Sequence, residues 1–165
     1  EMCIRDSGYN MRMAEMQAAL GLVQLEKLEQ FTEQRIAHAA FLAECLNGVV
    51  QTPVVRPGYR HVYHQYTIRV PERRAKWADR LWERGIEVGI HYPLAIHQQP
   101  FYQASKSLFR ISSSHETVET EADGEAVGLP VAEMAAREVL SLPVHPRLNE
   151  EDLRKVIEEV FALCE

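Results

Sequence analysis

Tyr9, Asn10 and Arg12 crowd the entry to a long apolar stretch, in the run Gly8-Tyr9-Asn10-Met11-Arg12. Asn10 suits a helix cap, since its side-chain oxygen can accept a first-turn amide. Arg12 does not, because a cation at the positive end of a helix dipole is stabilised only by a nearby anion or another chain. A second group of reactive types lies in GIHYPLAIHQQPFY, residues 89–102, where His91, Tyr92 and His97 surround Pro93 just past a predicted strand. Loops after strand ends are common places for binding and catalysis. Composition alone favours a plainer role, with Tyr92 and Phe101 roofing the core and the histidines in solvent.

Other chemistries find less support. His61 and His64 form an HxxH, but residues three apart on a strand point to opposite faces, so one ion could not use both without a bulge and no metal site is expected. There is no GxSxG nucleophile elbow, and Cys45 falls inside a helical pattern with no base beside it. Glycine-rich phosphate loops of the GxGxxG or Walker type are absent.

These groups need elements to hold them. From Met13, the residues Met16, Leu20 and Val23 make one apolar stripe and Ala18, Leu22, Leu25 and Leu28 a second, which predicts a helix buried on more than one side. Ala18, Ala19 and Gly21 are small enough to admit a close neighbour. Ile36, Ala39, Ala40, Ala43 and Leu46 continue the helical spacing to a stop at Asn47 and Gly48, with a kink expected near Phe31. A strand is predicted over 61–70, closed by Pro71, then a helix over 73–84 with Trp77, Leu81 and Trp82 inward and Gly85 as its stop. Residues 86–92 form a second strand candidate ending at Pro93. Residues 103–128 hold Ser112, Ser113 and Ser114 followed by acids and little to bury, and read as a mobile loop or insertion. A helix over 131–139, a short strand over 140–144 and a final helix over 149–164 complete the chain. In the last, Asn149 is the cap and Leu153, Val156, Ile157, Val160 and Phe161 are inward. The fold class is therefore α+β: a long amino-terminal helix and a sheet of about three strands covered by helices.

Composition narrows the function. The chain has 165 residues, 46% hydrophobic and 25% charged, with a formal charge of −6, enough for one ordinary core. No basic face suggests nucleic acid, no apolar run approaches the roughly 20 residues of a membrane span, and nothing looks like a signal peptide. Cys3, Cys45 and Cys164 are odd in number and widely spaced, which fits a reducing cytoplasm better than a disulfide framework. Residues 1–7 show no periodicity joining them to the helix after Gly8 and read as an unmatched segment, foreign to the unit over 8–165.

Four stretches, in order, carry a resemblance: GYNMRMAEMQAALGLVQLEKLEQFTEQR, HVYHQYTIRV, RGIEVGIHYPLAIHQQPFY and LPVAEMAAREVLSLPVHPRLNEEDLRKVIEEV. Together they resemble the C-terminal portion of the DegT/DnrJ/StrS sugar aminotransferases, pyridoxal-phosphate (PLP) enzymes of the aspartate-aminotransferase fold, fold type I. The resemblance omits residues 1–7 and most of 103–128, where the family usually has a shorter connection.

It implies a cytoplasmic homodimer that transfers an amino group, usually from glutamate as amino donor, to a keto group on a nucleotide-linked deoxysugar, in polysaccharide biosynthesis. In the family's GxNxR motif the Asn reaches the PLP phosphate of the partner subunit and the Arg lies near the sugar nucleotide. Here these are Asn10 and Arg12. The HYPxxxH stretch lies near the substrate, which implicates Tyr92 and His97. The Schiff-base lysine belongs to a domain that precedes the GxNxR motif, and Lys27, Lys76, Lys106 and Lys155 do not occupy its place. By this reading the chain alone is inactive. Two alternatives remain: a dehydratase of the same fold with histidine in place of the lysine, and a non-catalytic dimerisation or regulatory module using the Met13 to Leu46 helix.

Overall fold

The computed structural model describes residues 12–70, 74–104 and 129–164. Helix α1 (Glu15–Leu46) is continuous, with no break at Phe31. Residues 12–14 precede it without helical structure, so Ala14 holds the cap position and Asn10 does not. Ala14 has no side-chain acceptor to offer. Its own N–H instead donates to Gln17 Oε1 at 3.0 Å, the half of a capping box that needs only the N3 side chain. The far end stops where expected, at Asn47 followed by Gly48 with φ +79°.

Strand β1 (Tyr66–Arg69) pairs antiparallel with β2 (Val139–Leu142), Tyr66 opposite Leu142 and Ile68 opposite Leu140. Between them lie α2 (Arg74–Glu83), a 3-10 turn (Ile96–Gln98), α3 (Pro100–Ala104) and α4 (Pro130–Glu138), and α5 (Glu150–Cys164) closes the chain. Asn149 does cap α5: its Oδ1 accepts the Asp152 N–H and Asp152 Oδ2 accepts the Asn149 N–H, each at 2.9 Å. This reciprocal pair satisfies two amides that the first turn leaves free.

The expected three-stranded sheet is a two-stranded one. The 86–92 candidate contributes one bridge, in which the Gly89 N–H donates to Ser141 O at 3.0 Å and the Ser141 N–H to Gly89 O at 2.7 Å. The next such pair along the ladder would be residue 87 with Pro143, which has no N–H to give. In the other direction the His91 ring folds back over Gly89, so the chain leaves the edge of the sheet.

The core lies between the sheet and the helices. Tyr66, Ile68, Leu140 and Leu142 meet Ala39, Leu42 and Leu46 of α1, Trp77 and Leu81 of α2, and Leu153, Val156 and Val160 of α5. Two expected core residues are exposed, Trp82 and Phe161. Each sits one residue past a buried stripe, and a helix turns about 100° per residue, which carries the side chain off the packed face. The 103–128 segment begins inside α3, whose last turn includes Gln103 and Ala104, and from 105 on lies outside the described residues.

The amino half of α1 is not covered as expected. Met16, Leu20, Leu22, Val23, Leu25 and Leu28 are all exposed, because the sheet and α5 meet the helix only along its carboxyl half. Arg60 braces the middle, reaching Glu29 at 2.5 Å and Glu33 at 2.6 Å. These exposed pairs are worth little individually. Among the described residues no helix is long and apolar enough to cross a membrane.

The two halves of α1 should differ in mutational cost. Leu42→Ala should lower the unfolding free energy by about 2–5 kcal/mol, as expected for a fully buried leucine. Leu22→Ala, at a side chain 66% exposed, should change it by no more than about 0.5 kcal/mol. Urea denaturation of the 165-residue chain checks both.

Candidate functional site

Antiparallel pairing sorts the sheet into two faces. Tyr66, Ile68, Leu140 and Leu142 point into the core, and Thr67 and Ser141, directly opposite one another, share the other face. Their hydroxyls hydrogen-bond at 2.9 Å. Ser141 Oγ also meets His91 Nδ1 at 3.3 Å, so a chain of three polar groups runs from β1 through β2 to the loop beyond Gly89. The His91 ring lies so close over Gly89 that a Cβ there would stand 2.3 Å from His91 Cε1. Tyr92 meets the His91 ring edge-on, with centroids 5.7 Å apart and planes at 87°. Tyr92 itself is 68% exposed, and its ring does not roof the core.

His97 is placed differently. It falls in the 3-10 turn, and its Nε2 lies 3.0 Å from Glu133 Oε1 in the first turn of α4. The same Oε1 accepts the Leu129 N–H at 3.0 Å, so Glu133 closes the amino end of α4 and holds His97 with one oxygen. Gln103 Nε2 adds a bond to the His97 carbonyl at 2.5 Å. The His97 side chain is only 10% exposed. The bond to His97, then the Leu129 amide, hold the Glu133 carboxyl below the usual carboxylate range.

Arg12 is exposed ahead of α1, and its guanidinium makes no ion pair with another described residue. Asn10 lies outside the described residues. The structure thus brings Tyr92 together with His91 and ties His97 to α4, but no hydrogen bond joins Arg12, Tyr92 and His97 to one another. The HxxH histidines do not converge either: His61 Nδ1 accepts the Tyr63 N–H at 2.9 Å, while His64 is exposed. Lys27, Lys76 and Lys155 all lie exposed on helices.

Sequence reasoning missed Glu133, Ser141 and Thr67. Glu133 had a signal, an acid in the first turn of a helix whose N1 is Pro130. Ser141 and Thr67 had none, since a serine and a threonine in short strands are ordinary.

The chain matches the DegT/DnrJ/EryC1/StrS aminotransferase family over residues 1–161. It is 41% identical over 158 residues to a pleiotropic regulatory protein of Geobacillus stearothermophilus, covering 93% of this chain and 37% of that one. It is 35% identical over 150 residues to a UDP-N-acetyl-3-dehydro-alpha-D-glucosamine 3-aminotransferase of Acidithiobacillus ferrooxidans, covering 90% and 35%. The crystal structure of S. venezuelae DesV in complex with a ketimine intermediate superposes with a TM-score of 0.78 at 33% identity, over 98% of this chain and 39% of that one. The chain therefore spans little more than a third of the length of the curated relatives it matches.

Because the Glu133 carboxyl is held low, its link to His97 and Leu129 is at full strength above the ordinary carboxylate range. It is lost as pH falls through the depressed folded value. Glu133→Ala should remove that acid-sensitive component and expose the Leu129 amide to exchange at neutral pH. Hydrogen exchange of Leu129 in both forms, at neutral and acidic pH, checks the direction.

Proposed function

The chain belongs to the DegT/DnrJ/EryC1/StrS aminotransferase family, and from that premise we propose that it is the C-terminal part of a PLP-dependent enzyme that transfers an amino group from glutamate to a nucleotide-linked keto-deoxysugar. The observation that carries the reading is the family match over nearly the whole chain, joined to a relative named for amination of a UDP sugar. Its fit to about a third of the relatives' length supports a larger protein, with the Schiff-base lysine in the remainder. The exposed positions of Lys27, Lys76 and Lys155 agree with that, and the chain alone is then inactive.

The residues fit a phosphate-bearing cofactor and substrate at one point. Arg12 is an exposed cation with no carboxylate partner among the described residues, at the positive end of α1, an arrangement suited to an anion. In the proposed enzyme Asn10 donates to the PLP phosphate of the partner subunit, and Arg12, Tyr92 and His97 line the sugar-nucleotide side. Bound PLP supplies an electron sink for the carbon that gains or loses nitrogen. The chain's own part is to bind and orient: Tyr92 offers an exposed ring and hydroxyl, and Glu133 keeps His97 in one orientation. A homodimer is supported by the exposed apolar side chains on the amino half of α1, which need a cover in water. The regulatory name of the Geobacillus relative favours a second reading, a non-catalytic module on the same scaffold.

Amino transfer by the full-length protein from glutamate to a nucleotide-linked keto sugar, followed by mass spectrometry, separates the two readings. A full-length protein that neither binds PLP nor aminates such sugars supports the module. Within the enzyme reading, Asn10→Ala removes a hydrogen bond to a charged group worth about 1.5–3 kcal/mol, so PLP affinity should fall roughly tenfold to a hundredfold. Equilibrium titration of the full-length variant with PLP measures it.

A further inference from the structure

We infer that Ser141, backed by Thr67 and given room by Gly89, is a positioning residue that aims the His91 imidazole at the sugar with Nε2 outward. The inference rests on the proposed sugar-facing role of the loop after Gly89. His91 is held on three sides. Ser141 Oγ meets Nδ1 at 3.3 Å, the Cε1 corner of the ring lies against Gly89, and Tyr92 packs on it edge-on. Its Nε2 has no hydrogen-bond partner among the described residues, and the residue is exposed. A ring fixed by one nitrogen presents the other to whatever binds there.

Ser141 is well placed for this task because its strand holds it. It is 7% exposed, its backbone is paired with Gly89 in both directions, and it stands opposite Thr67 in the β1–β2 register. The Ser141 and Thr67 hydroxyls can each donate or accept. The run of protons along Thr67, Ser141 and His91 can therefore point either way, leaving Nε2 as a donor in one case and an acceptor in the other. Such a group suits a sugar, whose hydroxyls do both and whose keto oxygen only accepts. Gly89 is the steric condition. An alanine there would keep both backbone bonds to Ser141, but its Cβ would fall 3.0 Å from Nδ1 and 3.2 Å from Nε2 as well as 2.3 Å from Cε1. The ring would have to swing away.

A double-mutant cycle on the full-length enzyme tests the assignment. S141A should raise KM for the nucleotide sugar about three- to tenfold with kcat little changed, within the coupling found between hydrogen-bonded neighbours. The same change in an H91F background should raise KM less than twofold. S141T, which keeps the hydroxyl, should restore KM, and G89A should reproduce the S141A defect although its hydroxyl is intact. In NMR spectra of isotope-labelled histidine, S141A should move the His91 Nδ1 resonance and leave His97 in place. An equal KM effect of S141A in both backgrounds, or an unmoved Nδ1 resonance, overturns the positioning role while leaving the aminotransferase reading intact. If H91F leaves KM unchanged, the sugar-facing role of the loop falls and the inference with it.

Discussion

Strand β2 must satisfy its backbone hydrogen bonds in a dry environment. Leu140, Ser141 and Leu142 are all buried, and an unpaired amide or carbonyl there would cost as much as a lost hydrogen bond. β1 pairs with one edge of β2 and Gly89 with the other. The outer edge of β1 is covered in turn, where the Arg69 N–H donates to Gln51 O at 3.0 Å. The pairing brings the loop after Gly89 against the free edge of β2, and it fixes where α4 must end, since Glu138 passes directly into β2. The Val70 N–H reaches Glu138 O at 2.9 Å, and Arg69 pairs with the Glu138 carboxylate at 2.6 Å, so the junction is held by backbone and side chain together.

The same pairing divides the chemistry. One face of the sheet is an apolar floor for α1, α2 and α5. Tyr66 lies fully buried in it, and burial pushes its phenol pKa well up. The other face carries Thr67 and Ser141 and receives His91. Because opposite residues in an antiparallel pair share a face, two hydroxyls in register are enough to make that side polar. His97 belongs to a separate arrangement, in which Glu133 links the 3-10 turn to the start of α4 with an oxygen that also caps the helix.

Helix α1 joins two environments. Its carboxyl half contributes Ala39, Leu42 and Leu46 to the core, while its amino half displays Met16, Val23 and four leucines to solvent. Dense apolar patterning all around a helix reports how much of it can be buried, and carries no information on whether the covering surface lies in the same stretch of chain. That is why the amino half, expected to be buried on more than one side, lies exposed here, while the carboxyl half packs as an ordinary amphipathic helix.

The four longer helices and the two paired strands, the stop of α1 at Asn47, the Asn149 cap and most of the inward positions of α5 were legible in the sequence, because each depends on neighbours within a turn or two. The family resemblance was legible too, as four ordered motifs that together single out residues 10, 12, 92 and 97. Tertiary structure decided the rest. The expected third strand shrinks to one bridge because Pro143, far from it in sequence, has no amide to offer. Trp82 and Phe161 are apolar residues at helical spacing, yet only the packed neighbours define which stripe is inside. The bonds of His97 to Glu133 and of His91 to Ser141 span 36 and 50 residues, so no local pattern encodes them: the second follows from Gly89 pairing with the free edge of β2, the first from the 3-10 turn meeting the start of α4, and both contacts form only when the chain has folded.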